Sequence, residues 1–384
     1  MEHYRFIIIG LSLLLAACGA GNRRTVTQEE NAATELEADT VRIQPRYAHG
    51  FSVSYRTDGI RLLHISDPQK EHATLYRYAL VPRGLKADSL PAGYQPIEIP
   101  IRRAICMTSL QLSNFISLQA CDRVVGITST RFLFNEEMKR RKAEGLVAKI
   151  GIEGNFDNEV ILSLEPDVIL ISPFKRGGYD ALREVGTPLV PHLGYKETTP
   201  LGQAEWVKFV GLLLGREAEA NARFAAIEQR YNELKELAAT VSRRPVVFSG
   251  EIRGGNWYAV GGKSFLAELF RDAGSDYFLK DDPRSGGVTL DFETVYSQAE
   301  SADYWRIVNS YEGTFSYEAL RSLDARYADF RAFRTHQVIY CNMREKPFYE
   351  SMPMQPEVVL ADLIHIFHPT LLPDHRPTFY QLLP

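Results

Sequence analysis

The sequence NEVILSLEPDVI occupies residues 158–169 and combines two apolar patterns in one short stretch. Residues 160–164 have the spacing of a helical turn, whereas the apolar run 168–172 has the length of a buried strand. The stretch therefore predicts a helix that leads directly into a strand. The sequence around it follows the same pattern.

Strand and helix patterns alternate on both sides of this stretch. Apolar runs short enough for strands, and segments with helical spacing, occur at 103–107, 110–118, 124–128, 179–185 and 188–190. Short apolar strands joined by crossover helices are typical of a parallel sheet that is covered on both faces. Residues 102–216 are therefore predicted to form one α/β lobe.

A long helical pattern follows this lobe and is interrupted near Gly215. Beyond the interruption, apolar residues recur at spacings of 3, 4, 3 and 4 in an otherwise charged segment: Phe224, Ile227, Tyr231, Leu234 and Ala238. At ~1.5 Å per residue, a helix over 217–241 would span on the order of 37 Å. That length is enough to connect two lobes.

The alternation of strand and helix resumes after Pro245. The segments that carry it are 246–249, 264–273, 292–298, 304–308, 338–340 and 358–367. Residues 242–384 are therefore predicted to form a second α/β lobe.

The N-terminus has the pattern of an export signal. A short charged segment is followed by the apolar run 6–15 and then by Leu15-Ala16-Ala17-Cys18. The apolar run is well short of the ~20 residues that would span a bilayer. The pattern resembles a bacterial lipoprotein signal, which implies that Cys18 becomes the new N-terminus and carries lipid. The alternative is an ordinary cleavage site that a cysteine happens to follow.

Two further sections separate the signal from the first lobe. Residues 19–42 contain few large apolar residues, so we predict a flexible tether. Residues 43–101 show apolar alternation of period two around an Asp58-Gly59 turn, which predicts a β-rich section. The predicted organisation is a signal at 1–18, the tether at 19–42, the β-rich section at 43–101, lobes at 102–216 and 242–384, and a connecting helix at 217–241.

Composition excludes several classes of protein. The chain has 384 residues, with 44 Lys and Arg against 48 Asp and Glu. This net negative charge gives no electrostatic attraction to the phosphates of a nucleic acid, so a nucleic-acid-binding protein is excluded. Its four cysteines have no C-x-x-C spacing, and Cys106, Cys121 and Cys341 are expected to be small buried hydrophobes. The sequence does not decide whether Cys106 and Cys121 form a disulfide bond.

Catalytic motifs are missing from the sequence. It contains no G-x-S-x-G, H-E-x-x-H or complete G-x-x-x-x-G-K-[ST] pattern, so we predict no enzyme activity and no cofactor. His365 and His368 could in principle ligate a metal, but packing at the end of the last helix is the favoured interpretation.

Four stretches together resemble one known family, the substrate-binding lipoproteins of ABC importers for ferric siderophores, haem and vitamin B12. They are 102–109, 122–127, 158–169, and 257–264 with 272–275. The resemblance covers Arg102 to about Pro369. It implies two Rossmann-like lobes with mainly parallel central sheets, joined by a single long helix. The predicted fold class is therefore α/β, with the β-rich section added at the N-terminus.

The loops at the carboxyl ends of the strands are the expected ligand site, because the crevice of open α/β sheets lies there. These loops carry aromatic rings with Arg and Lys, which suit a flat conjugated ligand with anionic oxygens. The candidate ligand-binding residues are Thr108, Ser109, Arg131, Phe174, Lys175, Arg176, Tyr195, Arg253, Trp257, Tyr258, Trp305 and Arg344. The alternative is that rings such as Trp257 belong to the core and that Arg131 or Arg306 points to solvent.

Two acids are candidates for contact with the permease. Glu159 and Glu293 each begin a helix, one in each lobe, and match by position the acids with which the family docks onto arginines of the permease. One carboxylate on each lobe would fix the orientation of the complex. The alternative is an acid favoured by the helix dipole, worth ~0.3–1 kcal/mol.

These observations predict a lipid-tethered protein outside the cytoplasm that captures an iron complex, a ferric siderophore or haem, and delivers it to an ABC permease dimer. Vitamin B12 is the alternative cargo. A free metal ion is less favoured, because the nine histidines do not cluster in the candidate loops. From another class, the alternative is a lipoprotein enzyme, such as a chelatase, that acts on a haem-like substrate.

Overall fold

Two separate five-stranded sheets form the centre of the fold in a computed structural model of the chain. The structure describes residues 42–70, 75–86, 90–129, 133–152, 154–173 and 179–384. The predicted signal, including Cys18, and nearly all of the predicted tether lie outside the described residues.

A four-stranded sheet precedes the lobes. Its strands are β1 (Phe51–Tyr55), β2 (Arg61–Ile65), β3 (Tyr76–Pro82) and β4 (Gln95–Ile99), in the order β1-β2-β3-β4. The first three strands are antiparallel, and β4 runs parallel to β3. Gly59 adopts φ 82° at the turn between β1 and β2, a conformation that suits glycine, and the Asp58-Gly59 hairpin is thereby confirmed.

The first lobe is built on a parallel sheet in the order β11-β10-β5-β6-β7. Its strands are β5 (Ala104–Cys106), β6 (Val124–Ile127), β7 (Ala148–Lys149), β10 (Val168–Ile171) and β11 (Leu189–Pro191), and β8 (Gly151–Ile152) and β9 (Asn155–Phe156) form a separate hairpin. Every residue of β5, β6 and β10 is buried, as expected for a sheet covered on both faces.

Helices cover this sheet and continue towards the second lobe. They are α1 (Ser109–Ser117), α2 (Glu136–Ala143), α3 (Asn158–Ser163), α4 (Asp180–Arg183), α5 (Pro200–Ala204), α6 (Trp206–Leu214) and α7 (Glu217–Ala239). Short 3-10 helices occur at Cys121–Arg123 and Gly194–Lys196. Gly215 ends α6 in the left-handed conformation, with φ 63°, so the predicted interruption is confirmed.

Helix α7 is the predicted connecting helix. Its buried residues include the whole predicted apolar stripe, Phe224, Ile227, Tyr231, Leu234 and Ala238. The stripe belongs to a continuous hydrophobic cluster that also includes Leu63 of the N-terminal sheet, Phe115 of the first lobe and Phe248 of the second. The stripe therefore packs against a shared core along the helix.

The second lobe has a five-stranded sheet in the order β15-β12-β17-β18-β19, parallel except for β19. The strands are β12 (Val246–Ser249), β15 (Asp276–Tyr277), β17 (Tyr304–Asn309), β18 (Val338–Asn342) and β19 (Gln381–Leu382). A three-stranded antiparallel sheet of β13 (Glu251–Arg253), β14 (Asn256–Val260) and β16 (Gly287–Leu290) accompanies it. The predicted α/β fold class is confirmed.

The helices of the second lobe complete the fold. They are α8 (Phe265–Asp272), α9 (Phe292–Ala299), α10 (Tyr317–Leu323), α11 (Arg331–Arg334), α12 (Phe348–Ser351) and α13 (Pro356–Phe367), with 3-10 helices at Ala325–Asp329 and Met352–Met354. Within the part of the chain that the structure describes, no helix has both the length and the apolarity to cross a membrane.

Buried carboxylates attach the N-terminal section to the first lobe. Glu205, completely buried, accepts hydrogen bonds from the backbone N–H groups of Arg46, Tyr47 and Ala48 and from the Lys208 ammonium. Glu197 accepts from the N–H of Gly50 at 2.9 Å in the same way. Charge-assisted bonds of this kind are the strong ones, so residues 46–50 are an integral part of the first lobe.

Candidate functional site

A cavity of about 160 Å³ lies at the carboxyl ends of β12 and β17 in the second lobe. It is referred to below as the C-lobe cavity. Four of its lining side chains are charged or aromatic: Glu251 and Arg253 on β13, Tyr258 on β14 and Arg306 on β17. The backbone of Ser249 and Gly250, where β12 ends, forms another wall. Two predicted ligand residues, Arg253 and Tyr258, are thus brought together.

Arg306 supplies positive charge to this cavity. Its Nε and Nη2 groups donate to the hydroxyl oxygen of Tyr380, at 3.0 and 2.7 Å. Burial raises the pKa of Tyr380 to about 12, so its phenol is neutral at physiological pH. Among the described residues no carboxylate lies within ion-pair distance of Arg306. Its charge is therefore available to an anionic ligand.

The charge of Arg253 is already compensated. Its Nε and Nη2 groups donate to Glu251 Oε1 at 3.0 and 2.6 Å, and the other oxygen of Glu251 accepts from Asn309 Nδ2 at 3.2 Å. Tyr258 is 47% exposed, so its ring offers apolar surface to a ligand. The cavity thus combines one available cation, one Arg–Glu ion pair and an exposed aromatic ring.

Two predicted ligand residues belong to the core. Trp257 and Trp305 are completely buried, and their indole N–H groups donate to the backbone oxygens of Ser249 and Gly250, each at 2.9 Å. Their rings lie 5.7 Å apart, within an aromatic cluster that includes Phe248. Because neither indole has exposed surface, we correct the expectation that they contact a ligand.

Arg306, the neighbour of Trp305, lines the C-lobe cavity but was not among the candidate ligand-binding residues. Side chains alternate between the two faces of a strand, so when Trp305 enters the core, Arg306 points to the opposite face. The alternation along residues 304–309 indicates that Trp305 and Arg306 lie on opposite faces of the sheet. The sequence does not show which of the two faces the aromatic core covers.

A second cavity, of about 150 Å³, lies at the carboxyl ends of β5 and β6 in the first lobe. It is referred to below as the N-lobe cavity. Hydroxyl groups line it, from the predicted residues Thr108 and Ser109 and from Thr128 and Ser129, and Leu133 closes one side. The equivalent edges of both sheets therefore carry cavities, as expected for α/β lobes.

The wall of the N-lobe cavity is fixed by the start of α1. Thr108 caps the helix by accepting from Gln111 N–H, and Gln111 Oε1 accepts in return from the N–H groups of Met107 and Thr108. Gln111 Nε2 also donates to Ser172 Oγ at 3.0 Å, which links the cap to the end of β10. The positive end of a nine-residue helix thus borders the cavity and favours an anionic group there.

Two further candidates, Tyr195 and Arg344, do not line either cavity. Tyr195 is half-buried and donates its hydroxyl hydrogen to Pro173 O at 3.0 Å, and Arg344 Nε donates to Ser310 O at 2.8 Å. Four further candidates lie outside the described residues: Arg131, Phe174, Lys175 and Arg176.

Glu159 and Glu293 are both exposed in the first turn of a helix, α3 and α9 respectively. Asp157 and Asp291 cap these two helices. The surroundings of the two acids differ. The guanidinium of Arg326 stands over the ring of Phe292, 4.2 Å from its centroid, and forms an ion pair with Asp324 at 2.7 Å, so Glu293 lies near a cation whose charge is already compensated.

The described residues contain no group of three or more potential metal ligands. His365 and His368 each contact a backbone oxygen, of Leu372 at 2.8 Å and of Gly274 at 3.0 Å. Cys106, Cys121 and Cys341 are buried free thiols, and burial raises the pKa of Cys121 to about 11. The cysteines pack in the interior, and the two half-buried histidines pack at the end of α13, as the sequence predicts.

The family model described as "Periplasmic binding protein" matches residues 105–344, and the chain belongs to this family. Proteins of the family bind a ligand and an ABC permease, which agrees with a fold of two α/β lobes that each carry a cavity. The family is periplasmic, and the expected location outside the cytoplasm is thereby confirmed.

Three known proteins illustrate the similarity. An uncharacterised lipoprotein of Methanocaldococcus jannaschii is 25% identical over 76% of this chain and 71% of its own length. The periplasmic heme-binding protein RhuT of Roseiflexus sp. RS-1 superposes with a TM-score of 0.56 at 20% identity, over 70% of this chain and 99% of that one. The molybdate-binding protein MolA of Haemophilus influenzae gives a TM-score of 0.56 at 16% identity, over 71% and 88%.

Proposed function

We propose that this chain is the substrate-binding component of an ABC importer and that its cargo is an iron complex, either a ferric siderophore or haem. The observation that carries this proposal is the available charge of Arg306 beside the exposed ring of Tyr258 in the C-lobe cavity. A guanidinium binds anionic oxygens, and an aromatic ring stacks on a flat conjugated ligand. Ferric siderophores and haem offer both features.

The first lobe supports an anionic cargo independently. The hydroxyls of Thr108 and Ser109 and the positive end of α1 border the N-lobe cavity. Oxygens of a ligand held between the lobes would accept hydrogen bonds there. The two cavities measure about 160 and 150 Å³, and we propose that one cargo molecule contacts both of them.

We also propose that Glu159 and Glu293 dock onto the permease. Leu162, one turn after Glu159 on α3, is 54% exposed, and Ile152, on the hairpin that borders the same surface hollow as Glu159, is 57% exposed. An exposed apolar surface near a charge suits a protein partner. The segment around Glu159 matches the family more closely than the segment around Glu293, so we expect the contribution of Glu159 to be the larger of the two. Lipid at Cys18 would keep the protein close to its permease.

Titration with candidate cargoes tests the proposed ligand. Purified protein is titrated with haem, a ferric catecholate and a ferric hydroxamate siderophore, cobalamin and sodium molybdate, and tryptophan fluorescence is followed. Trp305 reports on the C-lobe cavity, because its indole N–H is bonded to Gly250 O in the cavity wall. We expect stoichiometric quenching by one iron complex and no conversion of it.

Two variants make the experiment specific. Arg306→Ala is expected to weaken binding of the iron complex by at least about tenfold, the effect of losing a charge-assisted hydrogen bond. Arg243→Ala is the matched control, since this exposed arginine lies before β12, at the other end of the sheet. Tight binding of cobalamin or molybdate without binding of any iron complex would contradict the proposed cargo, and product formation would identify an enzyme such as a chelatase.

A further inference from the structure

One buried carboxylate of the second lobe is bonded to the first lobe. Glu350 lies on α12 and is only 5% exposed. Its Oε1 accepts a hydrogen bond from Asn135 N–H at 2.6 Å, and its Oε2 accepts from Phe134 N–H at 3.0 Å. The contact joins residues 215 and 216 positions apart in the sequence, so both oxygens are used to hold the opposite lobe.

The two N–H groups belong to the start of α2. Asn135 is the N-cap of this helix, and its own side chain accepts from Met138 N–H. A carboxylate at this point is also favoured by the dipole of α2. Leu133, two residues before Asn135, closes one side of the N-lobe cavity. Glu350 therefore fixes the loop that leaves the wall of this cavity.

The same short helix supports the C-lobe cavity. The ring of Phe348, two residues before Glu350, lies 6.0 Å from the guanidinium of Arg306. Phe348 also packs against Tyr380, which accepts the two hydrogen bonds of that guanidinium. Helix α12 spans only Phe348–Ser351. Phe348, which contacts Arg306 of the C-lobe cavity, and Glu350, which bonds to the loop beside the N-lobe cavity, therefore lie within one helical turn of each other.

A second contact crosses the lobes nearby. Arg223 of α7 donates from Nε to Ser117 Oγ of the first lobe at 2.9 Å, and from Nη2 to Met354 O of the second lobe at 3.3 Å. The lobes are thus held together by polar bonds beside α1 and α12 as well as by the connecting helix itself.

Burial and pairing act in opposite directions on Glu350. Burial raises the pKa of its carboxyl group, whereas the N–H groups of Phe134 and Asn135 and the charge of Lys139 lower it. A buried carboxylate is costly unless hydrogen bonds satisfy its oxygens. Separation of the lobes at this contact would therefore break both bonds.

We propose that Glu350 is a cross-lobe latch, a positioning residue that holds the two cavities in the orientation in which they bind one ligand and that must open before the ligand is released. The latch rests on the proposed binding of cargo by both cavities. The hydrogen bonds of Glu350 fix the orientation of the two lobes relative to each other, whereas Arg306 contacts the ligand itself.

The first test needs no ligand. Glu350→Gln and Glu350→Ala are compared with Glu136→Gln, a matched control on the first turn of α2 whose carboxylate is exposed and pairs with Lys139. We expect the amide hydrogens of Phe134 and Asn135 to exchange at least about tenfold faster in both Glu350 variants and at the wild-type rate in the control. Spin labels at the exposed positions Lys142 and Glu318 should report a broader interlobe distance.

The second test measures retention of the ligand, with haem and the ferric siderophores as the probes. We expect the bound iron complex to dissociate about ten- to a hundredfold faster from the Glu350 variants than from the control, with a much smaller change in the association rate. Glu350→Gln keeps the size of the side chain and decides the matter if Glu350→Ala does not fold.

The outcomes separate the latch from the proposed cargo. Unchanged amide exchange and an unchanged interlobe distance in folded Glu350 variants would overturn the latch, whatever the ligand. Faster exchange with an unchanged dissociation rate would overturn its role in ligand retention. If wild-type protein binds no iron complex, the proposed cargo fails, and the exchange and distance measurements still decide whether Glu350 holds the lobes.

Discussion

The guanidinium of Arg306 donates two hydrogen bonds to the hydroxyl oxygen of Tyr380, a residue 74 positions later in the chain. Tyr380 is held in turn by Asp362, a buried residue of α13 whose carboxylate accepts from the N–H groups of Thr378, Phe379 and Tyr380. The C-terminal segment, which lies beyond the part matched by the family model, therefore sets the position of the available cation in the C-lobe cavity.

Tyr380→Phe tests this relationship. The substitution removes the acceptor of both hydrogen bonds but keeps the ring beside the guanidinium, so Arg306 keeps its charge and loses its fixed orientation. We expect about three- to tenfold weaker binding of the iron complex, a smaller loss than for Arg306→Ala. Fluorescence titration measures it. Tyr349→Phe, an exposed tyrosine on the same short helix as Phe348, is the control. Equal affinity of Tyr380→Phe and wild type would show that the phenol oxygen does not position Arg306.

Charge reversal at Glu159 and Glu293 tests docking. We expect the double variant Glu159→Lys with Glu293→Lys to bind cargo with wild-type affinity and to lose transport, because repulsion replaces attraction at the permease. Uptake of radiolabelled iron complex into proteoliposomes that contain the permease is the measurement. Glu159→Lys alone should reduce uptake more than Glu293→Lys alone, because the exposed side chain of Leu162 lies one helical turn from Glu159 and adds apolar contact with the permease. Full uptake by the double variant would exclude docking through these acids.

His192 is expected to make stability depend on pH. Its ring is completely buried against Trp206, and burial lowers its pKa from 6.5 to about 3. The unfolded chain therefore binds a proton between these two values that the folded chain does not. The free energy of unfolding is therefore not reduced by His192 above about pH 6.5. Below that pH the protonation of His192 in the unfolded chain lowers it by about 1.4 kcal/mol per pH unit, down to about pH 3.

Urea unfolding of wild type and His192→Leu between pH 4 and 8 checks this dependence. The free energy of unfolding of His192→Leu is expected to fall less steeply with decreasing pH than that of wild type, by about 1.4 kcal/mol per pH unit. This difference in slope does not depend on the absolute stability of the variant. His336→Asn is the control, because His336 is exposed and its left-handed backbone, with φ 57°, is tolerated by Asn. Parallel profiles for wild type and His192→Leu would contradict the role assigned to the buried ring.

Glu205→Gln tests how strongly the N-terminal section is attached. The carboxylate is completely buried between three backbone N–H groups and the Lys208 ammonium, which is itself 7% exposed at its side chain. Its loss leaves a buried cation without its partner, so we expect a decrease of about 3–5 kcal/mol in the free energy of unfolding. Glu219→Gln removes an exposed ion pair with Arg216 and should change it by less than about 1 kcal/mol. Urea unfolding measures both, and a loss below that of Glu219→Gln would refute the assignment.

Local periodicity predicted the elements of the fold well. The apolar stripe from Phe224 to Ala238 and the hairpin at Gly59 are found where the pattern indicated them. Each of these signals depends on residues close together in the chain, which is why the sequence displays them directly. The antiparallel sheet of β13, β14 and β16 was missed, because its short strands have no such regular pattern.

The candidate site was predicted less completely. Thr108, Ser109, Arg253 and Tyr258 line the two cavities at the carboxyl edges of the parallel sheets, and their contact with a ligand stays a prediction. Trp257 and Trp305 were assigned to the ligand from their residue type, but both belong to the aromatic core. Residue type and strand position indicate the edge of a sheet, and neither indicates which of its two faces is covered.

The sequence by itself determined the alternation of strands and helices, the connecting helix and the family, because these follow from spacing within short segments. Only the tertiary structure decided that Arg306 instead of Trp305 faces the cavity, that Tyr380 orients it, and that Glu350 bonds to the opposite lobe. Those relationships join residues far apart in the chain, and they arise only when packing has chosen the buried face of each strand and brought the lobes into contact.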